Sequence, residues 1–302
     1  MTSRISLKAA AKINLYLEIT GNRPDGYHDL VMILQSIDLC DRVDLRKLGI
    51  DAIQVTCTNP KVPCDRSNLA YKAAALLQSV FPEIGGVEIA IHKQIPMGAG
   101  LAGGSANAAA VLVGIDHLWN LGLTQSQLCD FAAQLGSDIA FCVVGGTALA
   151  TGRGEILSPL PDLKDLIFVI CKPRHISIST VWAYQTFRSQ GLLAYNPTKL
   201  KGISSQMVAA IASGGEAAPA KIGRLLYNDL ERVVLPEYPE LVAIKNKSLE
   251  QECLGAVMSG SGSTMFAFTA DLDRAHQIAE AVRTDDIDVW VAKSLVRSIF
   301  EA

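Results

Sequence analysis

This sequence predicts a chain of mixed strands and helices, in one large domain or two smaller ones. Three observations carry that expectation. Strand-like alternation and helix-like apolar runs follow one another along the chain. The length of 302 residues exceeds one average domain. Near the middle, Ser158-Pro159-Leu160-Pro161 interrupts the pattern and is the best boundary, dividing the chain into 1–158 and 159–302.

The first element reads as strand, because Ile5, Leu7 and Ala9 alternate with polar residues. A second strand, Ala10 to Ile19, places Lys12 and Asn14 on one face and Ile13, Leu15 and Leu17 on the other. Two polar residues on an apolar strand need partners. Taken alone, the pair is better read as an edge strand with a wet face than as a ligand site. The loop from Thr20 to Leu30 is rich in turn residues. In it Tyr27 and His28 offer an aromatic face and a pH-sensitive donor or acceptor. Such a pair usually only packs on a surface, and its place directly after the polar strand adds weight to a ligand role. Leu30 to Leu39 and Asp41 to Leu45 read as further strands. Asp51 to Pro63 gives a polar-alternating strand and a loop, and Ser67-Asn68 caps a helix from Leu69 to Phe81.

The centre of the sequence is Ile95-Pro96-Met97-Gly98-Ala99-Gly100-Leu101-Ala102-Gly103-Gly104-Ser105-Ala106-Asn107. Before it, Val87 to Lys93 alternates like a half-buried strand; after it, Ala108 to Trp119 is a helix-forming apolar run. Four glycines in seven residues free the backbone to curl and present its N–H groups at a helix N-terminus, where anions are favoured. A tight turn needs only one or two glycines, so a phosphate cradle is the better reading. Each hydrogen bond to a charged oxygen can contribute roughly 1.5–3 kcal/mol against about 0.3–1 from the helix dipole, so backbone donors dominate. It is not a Walker A loop, since Ser105 and Ala106 stand where Lys-Ser/Thr is required. Gly98, Gly100 and Gly103 match G-x-G-x-x-G, but a second helix, Gln125 to Leu135, stands where a dinucleotide fold needs a return strand. The V-A-I-K, H-R-D and D-F-G motifs of protein kinases are missing.

Gly136 ends that second helix. Asp138 then opens an apolar run, where an N-cap is a sufficient explanation for it. Thr147 to Ala150 and the Gly152-Arg153-Gly154-Glu155 turn close the first half. In the second half Phe168 to Cys171 is a buried strand, and Ser177-Ile178-Ser179-Thr180 opens a helix carrying Trp182 and Tyr184. Leu192 to Pro219 is poor in pattern, with Gly214-Gly215 suggesting a mobile loop between helices. Ala256 to Phe268 reads as strand, glycine-serine turn, strand. A helix from Leu272 to Arg283 and a strand near Val289 to Ala292 complete the chain, which has no internal repeat.

Composition excludes several classes. Net charge is −3, from 27 basic and 30 acidic residues without a basic cluster, so nucleic acid is not an expected partner. Mean hydropathy is +0.26, but no apolar run reaches ~18 residues, and Met1 to Ala11 lacks the apolar core of a signal peptide. The seven cysteines form no C-x-x-C pair and read as reduced core residues of a cytoplasmic protein, not metal ligands.

The central loop reads P-x-G-x-G-L-x-[GS]-[GS]-[SA] and resembles the second motif of the galactokinase, homoserine, mevalonate and phosphomevalonate (GHMP) kinase superfamily. Gly136-Ser137-Asp138 is similar to that superfamily's G-x-D motif, with Ala140 where relatives often have proline, and Ala256 to Phe268 to its third motif. The run A-K-I-N-L-Y-L-x-I-T-G-x-R-x-D-G-Y-H resembles the cytidine-recognising branch of the superfamily, which acts in the non-mevalonate isoprenoid pathway.

The resemblance implies an α+β, two-domain GHMP kinase fold. Its N-terminal domain would be ribosomal-S5-domain-2-like and its C-terminal domain a ferredoxin-like α/β sandwich, with the active site in the cleft between them. It implies small-molecule substrates, ATP with Mg2+ as donor and 4-diphosphocytidyl-2-C-methyl-D-erythritol as acceptor. It assigns ATP to Pro96, Met97, Gly98, Ala99, Gly100, Leu101, Ala102, Gly103, Gly104, Ser105, Ala106 and Asn68. Lys12 and Asp138 would act on the acceptor hydroxyl; Tyr27, His28 and Tyr184 would hold the cytosine, with Asn14 nearer the phosphates. Asn228-Asp229-Leu230-Glu231 would be structural. A homoserine or mevalonate type of kinase, or a non-catalytic sensor of the same fold, are the competing readings. The retained lysine, aspartate and loop weigh against the sensor.

Overall fold

Two long strands form the spine of the structure, a computed structural model that describes residues 3–193 and 202–302. Strand β1 spans Arg4–Asn22 and β2 spans His28–Lys47, paired antiparallel along almost their full length. The sequence suggests a break near Ala10 and another near Cys40, but each pair of expected strands is continuous. Register shifts between Ala10 and Ala11, and between Asn14 and Tyr16, let strands of this length twist without breaking.

The remaining elements follow in chain order. They are β3 (Ile53–Cys57), α1 (Leu69–Val80), β4 (Val87–His92), α2 (Gly103–Trp119), α3 (Gln125–Leu135), α4 (Ser137–Val144), β5 (Thr147–Gly152) and β6 (Ile156–Pro159). Next come β7 (Ile167–Pro173), α5 (Thr180–Ser189), α6 (Ile203–Ser213), α7 (Ala218–Arg224), β8 (Tyr227–Asn228), α8 (Glu231–Val234) and α9 (Pro239–Glu250). The chain ends with β9 (Gly255–Met258), β10 (Met265–Thr269), α10 (Leu272–Val282), β11 (Ile287–Lys293) and β12 (Ile299–Glu301).

Two sheets result. The larger runs β12-β1-β2-β4-β3, with β5 and β6 on the β2 side and β8 beside β1; the smaller is β11-β7-β10-β9. One apolar core lies between the first sheet and helices α1 and α2, and joins Ile13, Leu15, Ala73, Ala109 and Val111. A second core packs the other face of the long strands toward α5, α9 and α10. The chain leaves the first sheet at Pro159, inside the proline-rich segment, but β8 and β12 come back to it from the second half.

Several local expectations change. The bulge after Asn14 leaves Leu15 as the extra residue, since Asn14 faces Leu34 and Tyr16 faces Ile33. That single residue reverses the alternation, so Leu17 joins the second core and lines the cavity with Lys12 and Asn14 instead of facing away from them. Helix α2 begins at Gly103, five residues before the apolar run. Asp138 does not cap α4; Gly136 holds that place and Asp138 lies in the first turn. Helices α6 and α7 occupy much of the pattern-poor stretch, and residues 194–201 of it lie outside the described residues. Asn228 to Glu231 straddles β8 and α8. Among the described residues, no helix is long and apolar enough to cross a membrane.

The free edge of β1 is covered piecewise, and this positions the site. Leu7 to Ala9 pair with β12, and the Ala10 N–H donates to Ser298 O at 2.8 Å. The Lys12 N–H donates to Leu101 O of the glycine loop at 3.1 Å. Tyr16 and Leu17 pair with β8, and the Asp229 carboxylate accepts from the Ile19 N–H at 2.8 Å.

Candidate active site

A cavity of about 930 Å³ opens where these attachments meet, and both halves of the chain line it. One end of it is the glycine loop. Ala102, with φ of 56°, turns the chain into α2 and offers no side-chain cap, and the first helical hydrogen bond runs from Ala106 N to Ala102 O. The N–H groups of Gly103, Gly104 and Ser105 are therefore left without helical partners, and all three residues line the cavity. An uncapped helix N-terminus opening into a cavity is suited to an anion.

Glycine is required at Gly100 for two reasons. Its φ is +73°, and a Cβ there would lie 2.1 Å from Ser259 O. The glycine-serine turn of the β9–β10 hairpin packs that closely against the loop, and Ser259 Oγ donates to Gly100 O at 3.0 Å. Asn228 holds the same turn by donating to Met258 O at 2.7 Å and Gly260 O at 2.8 Å. Since Asn228 belongs to β8, loop, hairpin and N-D-L-E segment are all tied to β1.

On β1, Lys12 projects into the cavity with only 5% of its side chain exposed. Its ammonium donates to Asn14 Oδ1 at 2.8 Å and stands 3.7 Å from Asp138 Oδ2. Asn14 is fully buried, with its amide nitrogen 3.5 Å from Met32 Sδ. The Asp138 side chain is 38% exposed, so its carboxylate stays open to the cavity. At 3.7 Å the two charges are paired without a direct hydrogen bond.

The far end of the cavity is aromatic. His28 is buried, its Nε2 has no partner, and its ring lies 5.1 Å from Tyr184 at 33°. Burial first, and then the nearby Arg188 guanidinium, hold its pKa below the usual histidine value. Burial likewise raises Tyr184, with Asp138 and Asp229 adding to the effect, so its phenol stays protonated. Tyr27 is 58% exposed and lies against the Arg153 guanidinium, 5.1 Å from ring centroid to carbon.

Of the residues expected at the site, Lys12, Asn14, Tyr27, His28, Asn68, Pro96 to Ser105, Asp138 and Tyr184 all line this cavity. Ala106 does not: it is fully buried, because the helix has already turned its side chain into the core. Asn68 is occupied as the N-cap of α1. Its Oδ1 accepts from Ala70 N at 2.8 Å, and its Nδ2 donates to Pro63 O at 2.6 Å.

Sequence reasoning missed a buried group beneath the loop. Asp41 is fully buried and accepts from Gln94 N at 2.7 Å, Ile95 N at 2.9 Å and Asn107 Nδ2 at 2.8 Å. It also pairs with the Lys93 ammonium, which lines the cavity beside Gly103. The signal available was one lysine ending an alternating strand, which also describes an ordinary surface residue. Arg153 and Arg188 were missed as well.

Comparison with known proteins places the whole chain among kinases of one superfamily. The family description "GHMP kinases N terminal domain" matches residues 68–146, and "GHMP kinases C terminal" matches 207–287. A 4-diphosphocytidyl-2-C-methyl-D-erythritol kinase from Trichodesmium erythraeum is 50% identical, with 95% of this chain and 96% of that protein covered. The namesake from Acaryochloris marina is 51% identical at the same coverage. Among solved structures, a 4-(cytidine 5'-diphospho)-2C-methyl-D-erythritol kinase superposes with a TM-score of 0.77 at 30% identity, covering 96% of this chain and 99% of that one. Homoserine kinase from Cytophaga hutchinsonii reaches a TM-score of 0.78 at 21% identity, covering 99% and 98%, and shares the fold.

Proposed function

We infer the activity from a family relationship: this chain belongs to the 4-diphosphocytidyl-2-C-methyl-D-erythritol kinase family of the GHMP kinases. It is a kinase that transfers the γ-phosphoryl group of ATP to the 2-hydroxyl of 4-diphosphocytidyl-2-C-methyl-D-erythritol. The products are the 2-phosphate and ADP, in the non-mevalonate isoprenoid pathway.

The observation that carries the mechanism is the 3.7 Å approach of Lys12 to Asp138 on the wall of the cavity that also receives the α2 N-terminus. Phosphoryl transfer needs alignment and charge stabilisation more than covalent help. The Gly103, Gly104 and Ser105 N–H groups hold phosphate oxygens, with Asn68 and Met97 on the base side of the loop. The acceptor alcohol donates its proton to the Asp138 carboxylate. Seated to the cavity side of the pair, at hydrogen-bond distance from the carboxylate, that oxygen also lies within reach of the Lys12 ammonium. As it gains negative charge, Lys12 stabilises it, and Asn14 keeps the ammonium aimed. His28 and Tyr184 hold the cytosine at the aromatic end, with Tyr27 over the entrance.

The residues present fit a magnesium ion that travels with the nucleotide. Ser105, which lines the cavity at the N-terminus of α2, offers it a hydroxyl oxygen. When bound, Mg2+ neutralises charge on the β- and γ-phosphates.

The test is Asp138→Asn in a coupled kinase assay. A general base typically contributes ~10²–10⁴ in rate, so kcat should fall by at least that order while the Kd for ATP holds. A variant with undiminished kcat removes Asp138 from the chemistry. Turnover of homoserine, but not of the cytidine compound, by the unsubstituted protein would overturn the choice of acceptor.

A further inference from the structure

We propose that Arg153 is the acceptor's diphosphate-binding residue, placed between the aromatic end of the cavity and the Lys12–Asp138 end. This rests on the acceptor reading above and assigns a residue that no motif carries.

The β5–β6 turn Gly152-Arg153-Gly154-Glu155 has a closely specified conformation. Gly152 and Gly154 have φ of +70° and +106°. A Cβ on Gly154 would meet Met32 Cε at 2.7 Å and Ser137 Cβ at 3.7 Å. The turn is thus lodged between the methionine that touches Asn14 and the residue preceding Asp138. Glu155 fixes the turn by accepting from the Arg153 N–H at 2.6 Å.

Held this way, Arg153 reaches into the cavity and lies over the Tyr27 ring at 5.1 Å. The Glu155 carboxylate approaches Nε at 3.6 Å. After the Tyr27 N–H and Arg23, the guanidinium also helps hold the cavity-lining Asp25 carboxyl below its ordinary range, so an arriving diphosphate competes with that open carboxylate for the terminal N–H fork. Such a fork matches paired phosphate oxygens, whereas Lys12 is engaged by Asn14 and Asp138, and Arg188, beside His28, already donates to Arg23 O at 2.9 Å. A molecule with a base at His28 and Tyr184 and an alcohol at Asp138 must run its linker past this turn. A cytidine diphosphate ester has a doubly charged linker there.

Arg153→Gln separates charge recognition from bracing of Tyr27. Binding of cytidine and of cytidine 5'-diphosphate is measured by calorimetry on the full chain, with the acceptor KM from the kinase assay. The variant should lose at least ~tenfold in affinity for the diphosphate and keep its affinity for cytidine, because a charge-assisted bond is removed. The acceptor KM should rise to match, with the Kd for ATP unchanged, and Arg153→Lys should restore part of the loss. Equal weakening toward both ligands would mean that Arg153 only braces the tyrosine, and unaltered binding of both would also overturn the assignment. Failure of the unsubstituted protein to bind either cytidine ligand would bring down the acceptor reading itself, and this inference with it.

Discussion

Lys12 is useful because the strand that carries it leaves it almost no water. A buried ammonium needs partners, and Asn14 Oδ1 and Asp138 supply them. Asn14 holds the ammonium in place, and Asp138 is the more open of the two partners. His28 shows the same logic with the charge removed. Its buried ring and the neighbouring Arg188 disfavour the imidazolium, so the folded protein protonates His28 at lower pH than the unfolded chain does. As pH falls below about 6.5, the unfolded state takes up the proton first, and stability declines until the folded-state pKa is passed. His28→Gln should flatten that decline. Thermal melts of both proteins between pH 7.5 and 5 provide the check, and parallel slopes would show that His28 is not the group responsible.

At the scale of elements, the glycine loop is specified by what presses on it as much as by what it binds. Gly100 combines a left-handed φ with contact against the Ser259 carbonyl. Gly122 has a similar φ of +69° with nothing within 4 Å of its missing Cβ. The two therefore separate strain from collision. Gly122→Ala should cost about 1 kcal/mol from the left-handed backbone alone and leave kinetics unchanged. Gly100→Ala should cost clearly more and lower kcat/KM for ATP, because the loop must lift off the hairpin turn to admit a methyl group. Urea unfolding and ATP titrations on both variants settle the point; equal costs would mean that the hairpin contact is slack. The loop's glycines were visible in the chain, but a contact between Gly100 and Ser259 spans too many residues to be read from either motif.

For the molecule as a whole, β1 is the common attachment. C-terminal strand, glycine loop and β8 each take a length of its edge, so the final residues help hold the sheet that carries Lys12. Removing 299–302 deletes the pairing of Leu7 to Ala9 and the Ala302 N–H bond to Ser6 O. At about 0.5–1.5 kcal/mol per net hydrogen bond, the truncated chain should be roughly 2–4 kcal/mol less stable. Light scattering should also detect self-association through the bared strand edge. The Kd for ATP should be retained, since the loop meets β1 further along, at Lys12; an unaltered unfolding midpoint would contradict this account.

The chain alone determined what is written within some ten residues. This covers the α3 and α10 periods, the Asn68 cap, the hairpin of the third motif, and a glycine cradle opening onto a helix. Each is set by local backbone preference and the alternation of apolar residues, so no distant part of the molecule is needed to see it. Tertiary structure decided which distant residues meet. One bulge after Asn14 turned Leu17 into the cavity, early winding of α2 buried Ala106, and Asp41 anchored the loop from beneath. The approach of Asp138 to Lys12 and the seating of Arg153 beside Tyr27 depend in the same way on sheet register and close packing, in which a shift of one residue exchanges the two faces of a strand.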